Sequence, residues 1–196
     1  RKGPDGWLYL VHGNHTKPPV GPENQSVMHA YQPFQNGAED VLLARLWDPR
    51  GHAKGVMAPG GELWRTDERG STWQRVAAGM RNSYDIAIST AGEIFTYDSD
   101  MEWDLGAPWY RPPRALHLVP GAEFGWRSGS AKWPASYPDS LPAISNTDLS
   151  SPTGVELLAG SRFPEKYQNG LILGDWAWGR ILCMFLEPDG ASYSGD

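Results

Sequence analysis

The chain has 196 residues, enough to bury one real core, and its 40% hydrophobic content places it among globular proteins. A net charge of −6, with 17 basic residues scattered rather than striped, argues against a nucleic-acid footprint. Apolar runs such as Val41 to Leu46 stop well short of the roughly eighteen residues that a membrane helix needs, so no membrane span is expected.

Arg1-Lys2 leads directly into the turn pattern Gly3-Pro4-Asp5-Gly6, with no signal peptide to read, so the chain reads as processed or as a piece of a longer protein. Trp7 to Val11 then predicts a buried strand that ends at the polar group His12-Gly13-Asn14-His15. His15 to Asp40 is interrupted by Pro18, Pro19, Pro22 and Pro33 and reads as a long loop before a strand at Val41 to Trp47. Gly61 to Asp67 and Thr72 to Val76 form a hairpin across Asp67-Glu68-Arg69-Gly70.

The stretch from Gly79 to Trp126 is the most informative. Ile86 to Ile88 and Glu93 to Tyr97 are short strands joined at Thr90-Ala91-Gly92. Asp98, Asp100, Glu102 and Asp104 follow at every second position. If the extended geometry continues past the strand end, these carboxylates point the same way, and converging oxygens suit a hard cation such as calcium. A solvated acidic turn fits the same spacing, and the EF-hand pattern is absent. His117, between Leu116 and Leu118 on an alternating strand, reads as structural, and His29 and His52 have no evident partner.

Lys132 to Pro152 is a second long loop, where Trp133 and Tyr137 suit either a rigid rim for a ring-shaped ligand or aromatic packing under the loop. Cys183, alone inside the apolar run Ile181 to Phe185, reads as a core residue. It excludes an internal disulfide, a thiolate zinc site and a covalently attached c-type haem.

A repeat underlies the order of elements. The design of turn, strand and polar end recurs at Gly6, Gly92 and Gly170, about eighty residues apart, as in radial repeat folds. Short strands punctuated by 23 Gly and 17 Pro predict an all-β β-propeller, with blade-like units over 1–78, 79–152 and 153–196. A closed propeller has at least about four blades, so two to three blades here imply that further sequence or another chain supplies the rest.

Gly3-Pro4-Asp5-Gly6-Trp7-Leu8-Tyr9, Gly79-Met80-Arg81-Asn82, Val119-Pro120-Gly121-Ala122-Glu123-Phe124-Gly125-Trp126 and Ser151-Pro152-Thr153-Gly154-Val155 occur in the order seen in a known group. The set resembles the soluble quinoprotein glucose or sorbosone dehydrogenase superfamily, and within it the membrane-bound dehydrogenase domain common in planctomycete-type bacteria. The resemblance implies a six-bladed propeller that holds pyrroloquinoline quinone beside calcium and oxidises sugars or related alcohols by hydride transfer, with a histidine as base. It assigns Arg81 and Asn82 to the cofactor, where a planar guanidinium suits a tricarboxylate quinone; capping a loop is the alternative use of the pair.

The resemblance also places a basic cofactor contact near Arg180, for which a surface arginine flanking a strand is the alternative, and calcium oxygens between Asp98 and Pro108. There the sequence departs from the family, because the acidic series replaces a Gly-Pro pair, so any ligand set differs: Asp98, Asp100, Glu102 and Asp104. The family's catalytic histidine lies before the first motif, so His12 and His15 are the candidates to stand in for it, and ordinary polar loop positions are the alternative for both. A periplasmic or extracellular location and a c-type cytochrome domain or partner are further implications.

Two other functions fit the same residues. The propeller could be a binding module for carbohydrate or protein with an eroded catalytic set. It could instead be a lactonase-like hydrolase with one axial divalent ion, for which Asn14, Asn82, Asp100 and Asp175 offer a loose ligand set.

Overall fold

The computed structural model describes residues 1–16, 54–99, 111–127, 129, 131–134 and 136–196. The strands among these are, in chain order, β1 (Leu8–His12), β2 (Gly61–Thr66), β3 (Trp73–Met80), β4 (Ile86–Ile88), β5 (Ile94–Asp98), β6 (Arg114–His117), β7 (Ala122–Glu123), β8 (Trp126–Arg127), β9 (Ala131–Lys132), β10 (Ser145–Asn146), β11 (Pro152–Leu157), β12 (Gly170–Asp175), β13 (Arg180–Asp189) and β14 (Ser192–Gly195). One 3₁₀ turn at Glu165–Tyr167 accompanies them, and no α-helix occurs among the described residues. The expected strand at Val41 to Trp47 lies outside these residues, as do His29, His52 and most of the first long loop.

The strands form three four-stranded sheets, ordered β1-β2-β3-β7, β10-β6-β5-β4 and β11-β12-β13-β14, with β8 and β9 as a separate pair. All pairings within the three sheets are antiparallel except β3 with β7. The middle sheet explains how they stack. Its register aligns Ile86, Thr96 and Leu116 on one face and Ala87, Phe95 and His117 on the other, as two-residue alternation requires.

The first face packs with Tyr9, Leu63, Val76 and Met80 of the first sheet, and the second with Val155, Leu171, Leu173 and Met184 of the third. A sheet apolar on both sides can only sit between two neighbours, which is the arrangement of propeller blades.

Edge strands β4 and β11 also pack against each other. Arg1 joins this convergence: its backbone exchanges hydrogen bonds with Tyr9 of β1, while its guanidinium binds Asp85 at 2.9 Å and Glu156 at 2.6 Å. The first strands of all three sheets thus meet along one line.

β3 differs from expectation, and the second long loop takes the second of its two expected forms. β3 continues past Val76 to Met80, because Ala77 and Ala78 pair in parallel with Ala122 and Glu123 and extend the ladder. In the second long loop Trp133 is buried, edge-on to Tyr137 at 4.5 Å and under the Arg127 guanidinium at 3.8 Å. Its aromatic residues therefore pack beneath the loop.

Leu116 is fully buried between the first and second sheets. Leu116→Ala is expected to cost about 2–5 kcal/mol, read as a lower denaturant midpoint at unchanged slope.

Candidate functional site

The ends of β1, β5 and β12 lie at one end of the three sheets, and side-chain oxygens stitch them together. β5 ends on Asp98, which is fully buried. Its carboxylate accepts the backbone N–H of Arg81 at 3.0 Å and of Asn82 at 3.0 Å, the Ser83 hydroxyl at 3.2 Å, and Nη2 of Arg114 at 3.3 Å. Arg114 stands directly opposite Asp98 in the β5–β6 register. An acceptor with two oxygens can serve so many donors, and the guanidinium balances its charge.

The donated segment, Arg81 to Ser83, carries the chain from β3 across to β4. Gly79 makes its start possible: it sits at φ 81°, and a Cβ there would run into the Glu123 carboxylate and the Phe124 backbone. The carbonyl of Arg81 in turn accepts the backbone N–H of Asn14 at 2.7 Å, joining the end of β1 to the same corner. Gly13 lies against the Asn82 side chain, which would collide with any Cβ there.

On the other side, the Tyr97 hydroxyl reaches Thr147 and Ser150, and the N–H of Ser151 binds Asp175 at 2.8 Å. Asp175 ends β12 and also accepts the N–H of Ala177 at 3.1 Å and Nε of Arg180 at 2.7 Å. Burial opposes its ionisation, but the N–H of Ser151, the Arg180 guanidinium and the N–H of Ala177 prevail, so its carboxyl lies below the usual carboxylate range.

These contacts locate each predicted residue. Arg81 is half-buried, with Nη1 at 3.2 Å from the Ser99 hydroxyl, and Asn82 is exposed beside it. Arg180 gives Nε to Asp175 and Nη2 to Asp148, so it clamps the β12–β13 hairpin onto the segment before β11, and the two carboxylates raise its pKa. His12 holds Glu62 at 3.2 Å through Nε2 and the Gly13 carbonyl at 3.1 Å through Nδ1, so both ring nitrogens are engaged. His15 is exposed past the strand end.

Asp98 has its oxygens occupied by protein donors, while Asp100, Glu102 and Asp104 lie outside the described residues. Among the described residues no group of three His, Cys, Asp or Glu side chains is arranged to hold a metal.

Two ionic groupings, and the burial of Asn14 beyond its place in a loose ion-ligand set, escape sequence reasoning. Arg114 is the ionic partner of Asp98, and the segment between them hides the pairing. Glu62 gathers Trp64 Nε1 at 3.0 Å, Arg75 Nη1 at 2.8 Å and His12; burial works against its charge, but these donors hold its carboxyl below the ordinary range. Asn14 is 8% exposed, and its Nδ2 has no hydrogen-bond partner. A buried donor left open beside Arg81 is the mark of a position that a ligand or water completes.

No protein-family model matches the chain, and no curated protein matches it. Solved structures do. A glucose dehydrogenase-type oxidoreductase of Thermus thermophilus is similar over 98% of this chain and 49% of its own, at TM-score 0.60 and 15% identity. The pyrroloquinoline quinone-bound aldose sugar dehydrogenase of Streptomyces coelicolor is similar over 99% of this chain and 45% of its own, at TM-score 0.57 and 14% identity. A further glucose dehydrogenase covers 100% of this chain and 52% of its own, at TM-score 0.59 and 14% identity. At such identities the likeness shows the fold, which is an all-β propeller represented here in part. The chain spans about half the length of these structures.

Asp98→Ala strands a buried guanidinium and two amides, so a loss of about 3–5 kcal/mol in unfolding free energy is expected by denaturant titration. For pH the sign follows from the depressed carboxyls of Asp175 and Glu62. Their stabilisation is complete above the unfolded carboxylate range near about pH 4 and is lost as pH falls through the lower folded values. Acid titration of stability should therefore be steeper for the unaltered chain than for Asp175→Asn, which starts less stable at neutral pH.

Proposed function

We propose that this chain is part of a sugar-oxidising quinoprotein propeller, and that its Arg81–Asn82 corner contacts pyrroloquinoline quinone. The observation that carries the reading is the corner itself: a half-buried guanidinium, an exposed amide and the open Nδ2 of Asn14, fixed together at the meeting end of three sheets. The donor set fits a flat polycarboxylate. Arg81 offers a planar fork for a carboxylate, and Asn14 and Asn82 offer amide donors to ring oxygens or a second carboxylate. The likeness in fold to a quinone-bound sugar dehydrogenase supports the same reading.

When bound, the quinone supplies the acceptor for the hydride that leaves the sugar carbon. The chain's residues bind, orient and move protons around it. Asp98 keeps Arg81 and Asn82 from turning away, Ser99 steadies the guanidinium, and a histidine at or just past the end of β1, His12 or His15, takes the hydroxyl proton. The oxygens of Asp98 are spent on protein donors, so calcium would take its oxygens from Asp100, Glu102, Asp104 or carbonyl groups near them.

The remaining blades, a c-type cytochrome as electron acceptor and a periplasmic or extracellular location belong to the same proposal. No helix among the described residues is long and apolar enough to cross a membrane. A second reading, carbohydrate binding without turnover, draws support from Trp176 and Trp178, which are 78% and 66% exposed at the tip of the β12–β13 hairpin.

Titration of the full-length protein with pyrroloquinoline quinone, with and without calcium, followed by tryptophan quenching and by dye reduction with a panel of aldoses, tests the proposal. Arg81→Ala is expected to weaken quinone binding about 10- to 100-fold, the equivalent of one charge-assisted contact. Absence of binding in every condition removes the reading. Sugar binding that persists without quinone, metal or Arg81 favours the binding module.

A further inference from the structure

The start of β5, about 16 Å along an extended strand from Asp98, carries a separate group of side chains that the quinone reading does not use. Glu93 Oε2 lies 2.6 Å from Nε2 of His117, and Nδ1 of the same ring lies 3.2 Å from Oγ of Ser192. The three residues come from the β4–β5 turn, β6 and β14, so they join the second sheet to the third.

The imidazole is held in place. His117 stacks on Phe95 at 5.1 Å and 22°, Tyr193 meets it edge-on at 5.1 Å, and its side chain is 4% exposed. The backbone of Glu93 is fixed too: its N–H binds the Ser89 hydroxyl at 3.0 Å and its carbonyl accepts the Ser89 N–H at 2.8 Å. Glu93 and Ser192 both reach solvent, so the two ends of the line are accessible while its middle is dry.

The hydrogen-bond roles follow from chemistry. An ionised carboxylate only accepts, so Nε2 carries the hydrogen; the neutral ring then presents a lone pair at Nδ1 to the serine hydroxyl. Carboxylate, imidazole and hydroxyl in that order are the arrangement that activates a serine. We propose that Ser192 is a nucleophile toward small activated carboxylic esters, with His117 as its base and Glu93 as the positioning residue.

Oγ of Ser192 forms a bond to the acyl carbon while its proton passes to Nδ1 of His117. The bond to the leaving alkoxide breaks, and that oxygen takes the proton from His117. Water then attacks the acyl-serine with the same base, releasing the carboxylic acid and restoring the hydroxyl. No oxidant or metal enters the balance, and the proposal stands or falls independently of the quinone site.

The test uses the full-length protein, a fluorophosphonate probe with peptide mass spectrometry, and p-nitrophenyl acetate turnover. The expected result is an adduct on Ser192 and ester hydrolysis, both abolished in Ser192→Ala, an exposed position whose change leaves the circular dichroism spectrum intact. His117→Gln and Glu93→Gln should slow labelling by about 100-fold or more, while Glu93→Asp, which keeps the charge, stays within about 10-fold of the unaltered protein. A mere latch between sheets would not distinguish Gln from Asp at position 93 in this way. No adduct at Ser192, unchanged turnover in Ser192→Ala, or equal labelling in Glu93→Gln and the unaltered protein overturns the proposal.

Discussion

The carboxylate of Asp98 is the constraint on which the upper end of the molecule depends. It closes β5, receives two consecutive amides from the segment that enters β4, and faces the guanidinium of Arg114 across the β5–β6 register. A buried charge is tolerated only with an opposite charge and saturated lone pairs, and Asp98 has both. An asparagine in its place would present an NH₂ where the protein presents further donors. The position of Arg81 is therefore a consequence of electrostatics one strand away.

The same device recurs with variations that follow the repeat. β12 also ends on a buried acid, Asp175, which fastens Ser151, Ala177 and Arg180. At β1 the acid comes from the neighbouring strand instead, as Glu62 gathers His12, Trp64 and Arg75. Along the converging edges, Arg1 adds a cationic stitch between Asp85 and Glu156. Each sheet thus meets the upper surface through a buried anion, satisfied by strand side chains at Glu62 and largely by loop donors at Asp98 and Asp175, and the loops there bring Asn14, Arg81 and Asn82 together. Hydrophobic packing on both faces of the middle sheet sets the blade arrangement, and the acids set which loop residues reach its end.

Much of the fold is legible in the sequence because alternation and turn chemistry are local. Ile86 to Ile88 is a strand with the bounds its β-branched run predicts, and Gly70 and Gly92 take the positive φ of the hairpin turns read at those positions. β3 is longer than its pattern because Ala77 and Ala78 lack the bulk that marks a strand, yet pair with β7 some forty-five residues on.

The site is less legible for a related reason. Asp98 reads as the first rung of an acidic series, since nothing local reveals that Arg114 will stand opposite it. His117 reads as structural from alternation and is indeed buried against Phe95 and Tyr193, but its hydrogen-bond partners, Glu93 and Ser192, lie 24 and 75 residues away. Spacing reports which face a side chain takes, whereas partnership across sheets depends on topology.

The most direct measurement is the electron density of a crystal of the full-length protein grown with pyrroloquinoline quinone. The account predicts a flat tricyclic ligand at the upper end of the three sheets, a carboxylate on the Arg81 guanidinium and the Asn14 amide engaged. Quinone seated elsewhere, or Arg81 and Asn14 unchanged with no ligand beside them at saturating quinone, would contradict it.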